Sequence, residues 1–517
     1  MPETEIGWKV EEHPVETAKP EAPVHPAERE SAVKPEPEIR PKTKPKNNGE
    51  RFRLLRNIGT LAVCPMEGGQ GEIRLIRRAA VLWKGDTILY AGPESELRDW
   101  FRSQDDAAPA SPFGPPEEHT EVFDAGGRLV VPGLIDCHTH LAFGGWRADE
   151  FEMRSLGKSY EDIAAAGGGI LSTMKATRQM TEDELLDKSA SLMHRIQSLG
   201  VTTLECKSGY GLDVEHELKL LRVYRRLQEQ TPVRILSTFL GAHAIPPEYS
   251  SDREGYISLV INEMLPKVAD EGLAVFCDVF ADAPAFTAAE AEKILLAAKA
   301  RGLIPKIHAD QLTECGGAEL AARVGAISAD HLECISKDGV RAMKEAGTVA
   351  VSLPLATWYL RKNPIPARSL IEAGVPVAVS TDFNPGSAPS YHLPLAMHLA
   401  CTLQHMSPSE VLKSATIYAA AALGIADIAG SVEPGKKADF VEIDAGAGAD
   451  EIALADVKTG IDVNGGADVN GGADAMNRFS DTAHPVNQWM YHFQPDCAVR
   501  VWAGGECVVS KGEGWSA

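Results

Sequence analysis

No apolar run in this chain is long enough to cross a bilayer, and none near residue 1 reads as a signal peptide. A cytoplasmic protein with no membrane partner is therefore expected. No Cys-x-x-Cys pair occurs either. The nine cysteines (Cys64, Cys137, Cys206, Cys277, Cys315, Cys334, Cys401, Cys497 and Cys507) are scattered and odd in number. That argues against a disulfide framework and for reduced, buried thiols. Positive charge is scarce: 51 Lys and Arg stand against 73 Asp and Glu, giving a formal net charge of −22 and a pI near 5.2. So acidic a chain argues against nucleic acid as a partner, and an anionic substrate would need a local cationic clamp. What is plentiful is apolar. Hydrophobic residues make up 44% of the 517, enough for a sizeable core. The expected partner is a small-molecule substrate; a homodimer stays open.

The chemistry concentrates in four fragments, each reading as the tip of a buried strand: Val130–His140, Pro305–His308, Ala326–His331 and Val377–Asp382. Side chains alternate along a strand, so His138 and His140 point the same way, while Thr139 and Cys137 face the other side. Two imidazoles on one face, a third (His308) on a later strand and a terminal carboxylate (Asp382) make the donor set of a borderline cation. Room is left for water, as in a catalytic rather than a structural metal site. Zn2+ and Fe2+ suit this set equally, and no organic cofactor is expected.

Residues 1–50 are crowded with Pro, Glu and Lys, as in Lys34-Pro35-Glu36-Pro37-Glu38. They cannot bury enough apolar surface to offset their ordering entropy, so a disordered extension is expected. From 51 to 127, short apolar runs such as Ala79–Trp83 and Thr87–Gly92 alternate with tight turns and read as strands. Asp439–Ile443 and Ala498–Gly505 repeat that character, so 431–444 and 479–517 should complete one small β-sandwich with them. Between these, 128–430 alternate strand and helix. Thr181-Glu182-Asp183-Glu184 is a capping box opening a helix that runs to Gly200, and Thr287 with Glu290 opens another ending near Gly302. Strand tips fall near 135, 204, 238, 279, 307, 329, 351 and 379. Eight βα units over about 300 residues predict an α/β fold, a TIM-like (β/α)8 barrel with its active site at the C-terminal strand ends. The ligand residues fall at those ends. Residues 445–478, where Asp462–Ala467 recurs as Asp468–Ala473, lack EF-hand spacing and read as an acidic, Gly/Asp-rich flexible insertion. Both it and the 1–50 extension are expected to be dispensable.

Several motifs narrow the reading: Gly144-Gly145-Trp146-Arg147, Glu205–Leu212, Thr238–Ala244, His308-Ala309-Asp310-Gln311-Leu312 and Thr381–Ser387. With the metal pattern, they resemble the metal-dependent amidohydrolase superfamily, and within it the ring-opening hydrolases of histidine degradation. The resemblance runs from about 53 to 443 and resumes in the last strands. It implies hydrolysis of the ring amide of 4-imidazolone-5-propanoate to N-formimidoyl-L-glutamate. Two-metal members carry a modified lysine on strand four; here that strand reads Val275–Phe280 without one, so a single metal is implied. The resemblance also makes Asp382 both ligand and proton acceptor, and brings His331, Gln311 and His243 to the attacked group. Arg147 would hold the propionate, Tyr210 and His243 would touch the ring or tail, and Asn384, Gly386 and Ser387 would form the loop after strand eight. The rivals are another cyclic-amide hydrolase or deaminase of the superfamily, and a barrel scaffold that has lost its metal. All four ligand positions persist, which argues against the scaffold.

Overall fold

The computed structural model describes residues 51–103, 120–158, 162, 167–282, 285–445, 484–492 and 497–511. The expected extension over 1–50 lies outside them, as does the expected insertion over 445–478 apart from Ala445. Two sheets organise the described chain.

The first is built from both ends of the sequence. It begins with β1 (Phe52–Val63), β2 (Arg74–Lys84), β3 (Thr87–Pro93), β4 (Thr120–Asp124) and β5 (Leu129–Pro132). The second holds β6 (Leu134–Asp136), β7 (Val201–Lys207), β8 (Arg234–Ala242), β9 (Phe276–Ala281), β10 (Ile304–Ala309), β11 (Ser328–His331), β12 (Val349–Ser352) and β13 (Val377–Val379). The chain then returns to the first sheet with β14 (Phe440–Ile443), β15 (Ala498–Ala503) and β16 (Glu506–Ser510). That sheet runs β16-β15-β14-β5-β1-β2-β3, with β4 also on β1. Its apolar face gathers Leu55, Ile58, Val81, Trp83, Phe440 and Trp502 into one buried cluster, the Trp83 and Trp502 rings 5.0 Å apart. Residues more than 400 positions apart in sequence, such as Trp83 and Gly505, are hydrogen-bonded there.

Strands β6 to β13 pair in parallel in sequence order, the (β/α)8 arrangement with its second, smaller domain. The barrel closes through the residues that carry the chemistry. His140 N donates to Phe383 O (2.8 Å), Asp382 N to His138 O (3.1 Å), and the buried Asp136 carboxylate accepts from Ser380 Oγ, Thr381 Oγ1 and Thr381 N. Burial raises the pKa of Asp136 to about 6, against the opposing pull of those donors.

One sequence expectation changes. Val130–His140 is not a single strand: β5 pairs with β14 in the first sheet, β6 with β7 in the barrel, and the change-over falls at Gly133. A side chain at Gly133 would collide with Thr202, so glycine lets the chain cross closely between sheets.

The helices follow local rules. Glu182–Gln197 is opened by Thr181, whose Oγ1 accepts from Glu184 N (3.2 Å) while Glu184 Oε2 accepts from Thr181 N (2.8 Å). Thr287 and Glu290 repeat the box at Ala288–Lys299. Thr181→Ala should therefore cost about 1 kcal/mol of stability, read as a lower midpoint in denaturant unfolding with turnover kept. An unchanged midpoint would mean the box adds nothing here. Among the described residues, no helix is long and apolar enough to cross a membrane.

Candidate active site

His138 and His140 stand just beyond β6, His308 near the end of β10, His331 at the last residue of β11, and Asp382 three residues past β13. All five are almost fully buried. Asp382 Oδ1 lies 3.4 Å from His138 Nε2 and 3.5 Å from His140 Nε2. The His138 and His308 rings are 4.5 Å apart between centroids. Donor atoms of His138, His140 and Asp382 lie within 4.8 Å of one another, as do those of His138, His308 and His331. His331 thus offers a fifth donor beside the four expected ligands. His138 Nε2 is buried with no hydrogen-bond partner, a cost that a cation would relieve. The donor set fits a divalent metal.

The backs of two imidazoles are held by carboxylates. Asp330 Oδ2 lies 2.6 Å from His138 Nδ1, and Asp278 Oδ2 lies 3.0 Å from His308 Nδ1. A proton on His138 Nδ1 leaves Nε2 as a lone pair facing the cluster. Lys207 joins the two supports: its Nζ lies 2.8 Å from Asp278 Oδ2, 2.8 Å from Glu205 Oε1 and 3.6 Å from Asp330 Oδ2. Burial pushes the Lys207 pKa down, but Asp278, Glu205 and Asp330 outweigh it and keep the ammonium charged. Burial, then Lys207 and the neighbouring imidazoles, depress the His138 pKa far below its usual value, which keeps the ring neutral as a ligand must be. For Asp382, burial raises the pKa, but His140 and His331 outweigh it and hold the carboxylate below its usual range. Sequence reasoning passed over Asp278, Asp330 and Lys207. The available signal was charge inside otherwise apolar strands, where Glu205 and Lys207 share one face.

Arg147 is the N-cap residue of the helix Ala148–Ser155. Its Nε and Nη2 donate to Glu150 Oε1 (2.9 Å) and Oε2 (2.8 Å), so one edge of the planar fork is already engaged. A side chain at Gly386 would overlap Arg147 Nη1, which places the free end of the fork against the loop after β13. Lys188 braces the approach to Arg147, donating to Phe143 O (2.9 Å) over the Phe143 ring; burial lowers its pKa to about 8.

Tyr210 is buried with its ring 5.6 Å from His140, on a loop wrapped around the Glu217 carboxylate. Gly209 N, Gly211 N and Leu212 N all donate to Glu217, and Gly209 takes φ +102°, which only glycine adopts readily. His243 stacks on His140 at 5.1 Å and lies 3.0 Å through Nδ1 from Gly209 O. Gln311 is half-buried on the loop after β10, where Leu312 N donates to Asp282 Oδ2 (2.6 Å). Asn384 is spent on its own turn: Oδ1 accepts from Gly386 N (2.8 Å) and Ser387 N (2.7 Å), and Nδ2 donates to Asp382 O (2.7 Å) and Ser387 Oγ (3.0 Å). It shapes the loop rather than presenting free donors.

A parallel eight-stranded barrel with buried imidazoles and a carboxylate at its C-terminal rim defines a metal-dependent amidohydrolase, and residues 251–482 match the Amidohydrolase family. The fold is shared with E. coli guanine deaminase, at a TM-score of 0.65 and 14% identity over 89% of this chain and 99% of that one. A zinc-bound adenosine deaminase from Xanthomonas campestris matches with a TM-score of 0.60 and 18% identity, over 89% and 93% of the two chains. Much higher identity links the chain to imidazolonepropionases. That of Shouchella clausii is 49% identical over 374 residues, 72% of this chain and 81% of the relative; that of Geobacillus kaustophilus is 47% identical over 389 residues, 75% and 89%. The chain belongs to the imidazolonepropionase family, hydrolases acting on cyclic amide C–N bonds.

Proposed function

We propose that this chain hydrolyses the ring amide C–N bond of 4-imidazolone-5-propanoate to give N-formimidoyl-L-glutamate, with Asp382 as the proton carrier at the metal centre. The observation that carries the reading is the approach of Asp382 Oδ1 to His138 Nε2 (3.4 Å) and His140 Nε2 (3.5 Å), with Arg147 Nη1 lying against Gly386 in the loop that follows Asp382. His138, His140, His308 and Asp382 would hold one Zn2+ or Fe2+, which supplies Lewis acidity and a water of lowered pKa. Asp382 accepts the proton of the attacking water and returns it to the departing ring nitrogen as the carbonyl carbon gains an oxygen and loses its C–N bond. His331 polarises the carbonyl or shares that transfer, and Gln311 borders the attacked group.

With Nε and one Nη2 hydrogen given to Glu150, Arg147 keeps three N–H groups on its far end, enough for a bidentate grip on a propionate. Tyr210 and His243 wall the ring, while Asn384 holds Gly386 and Ser387 in the shape that admits the tail. A cytosolic setting agrees with nine cysteines of which none is in a disulfide.

The direct test is to supply 4-imidazolone-5-propanoate to the metal-loaded protein and follow N-formimidoyl-L-glutamate. Failure there, with opening of a different cyclic amide, would move the reading to a neighbouring hydrolase. Arg147→Ala should raise KM about tenfold or more while turnover at saturation falls less than in Asp382 variants. Arg147→Lys keeps the charge but loses the fork and should raise KM by a smaller factor. Unchanged KM in Arg147→Ala would place the propionate elsewhere.

A further inference from the structure

We propose that Glu333 is a positioning residue for His331: its carboxylate, anchored by Thr357, accepts a hydrogen bond from His331 Nδ1–H and so turns Nε2 of that ring toward the substrate. The proposal rests on the reading that His331 takes part in ring hydrolysis.

Two buried polar atoms without hydrogen-bond partners face one another here. His331 Nδ1 and Glu333 Oε2 are 3.8 Å apart, and both are among the buried side-chain atoms left without a partner. The side chains are 2% and 4% exposed, so bulk water does not serve either. Leaving a carboxylate oxygen and an imidazole nitrogen both unpaired in a dry interior is costly, and a shift of about 1 Å would join them. The other end of the carboxylate is fixed, because Thr357 Oγ1 donates to Glu333 Oε1 at 2.7 Å from the helix Pro354–Leu360.

The backbone shows how the pair is brought together. His331 has φ +80° and Leu332 φ +69°, two successive non-glycine residues in the left-handed region. These two residues carry the chain from the end of β11 to Glu333, whose carboxylate stands beside the His331 imidazole. Such conformations cost of order 1–3 kcal/mol each and persist where the surroundings impose them, often at functional sites. The strain here places a carboxylate against the one imidazole of the cluster outside the four proposed ligands. A carboxylate on one ring nitrogen fixes the tautomer and orientation of the other.

The test compares Glu333→Ala, Glu333→Gln, Thr357→Val and His331→Gln in the full-length, metal-loaded protein. Glu333→Ala should lower kcat by about tenfold to a hundredfold, with KM within about twofold and metal content unchanged. Glu333→Gln retains an acceptor for Nδ1–H and should recover part of the loss. In histidine 15N NMR spectra, the His331 Nδ1–H signal present in the parent should be lost or shifted in Glu333→Ala. Glu333→Ala combined with His331→Gln should be no slower than His331→Gln alone. If His331→Gln keeps normal kcat, the reading of His331 fails and the inference with it. If His331→Gln is slow while Glu333→Ala is normal, only the inference fails. Metal loss from folded Glu333→Ala would also overturn it, since Glu333 would then act on the ligand set. Should Glu333→Ala not fold, Thr357→Val decides: the nearly isosteric change should still lower kcat several-fold, and normal kcat in the folded variant overturns the proposal.

Discussion

His308→Ala is expected to lose bound metal and turnover together. Its ring stands 4.5 Å from that of His138 and 5.3 Å from that of His331, at the middle of the cluster. Taking away one of three imidazoles leaves a divalent cation short of a strong donor. It also leaves Asp278 with Lys207 as its remaining charged partner, so the support behind the site is disturbed as well. Elemental analysis of the purified variant should find little metal, competition with a chelator should show weakened binding, and hydrolysis should fall to background. Full occupancy with normal turnover would remove His308 from the ligand set.

Asp382→Asn should separate binding from chemistry. The amide oxygen can still face the metal, whereas the group that accepts and returns a proton is gone. Metal content should therefore survive in part while kcat collapses, with KM changed much less than in Arg147→Ala. The folded environment holds the Asp382 carboxylate below its usual pKa range, so in the parent it stays ionised through neutral pH and is ready to take the proton. Retention of more than about a tenth of the parent rate would assign the transfer to another group, His331 first.

The fold was legible because its signals are short-range and repeated. Each barrel strand is a brief buried run, and the capping boxes at Thr181 and Thr287 complete their hydrogen bonds within four residues. The eight expected strand tips at 135 to 379 fall on or within a residue of β6 to β13. The His138–His140 pair was legible for the same reason, since alternation over two residues puts both rings on one side. The exception, the break at Gly133, arose because an apolar run carries no mark of which sheet it joins. That assignment depends on the approach of Thr202 from a distant strand.

By itself, the sequence determined the barrel, the order of its strands and the proposed candidate metal donors, His138, His140, His308 and Asp382. Periodicity and residue chemistry carry those over a few positions. Tertiary structure alone decided what stands behind and beside them. Asp330 meets His138 across 192 positions, and Lys207 meets Asp278 across 71. Neither pairing exists until the strands close side by side in register. The same closure seals the barrel through Asp136, Thr381 and Phe383, and packing brings Thr357 to the Glu333 carboxylate beside His331. Arg147, only three residues from Glu150, is the instructive case: its spacing was in plain view. Its pairing with that carboxylate is local, but its lie against Gly386 was set by packing between distant loops. Local chemistry names the groups, and long-range packing chooses which of their atoms are left free to work.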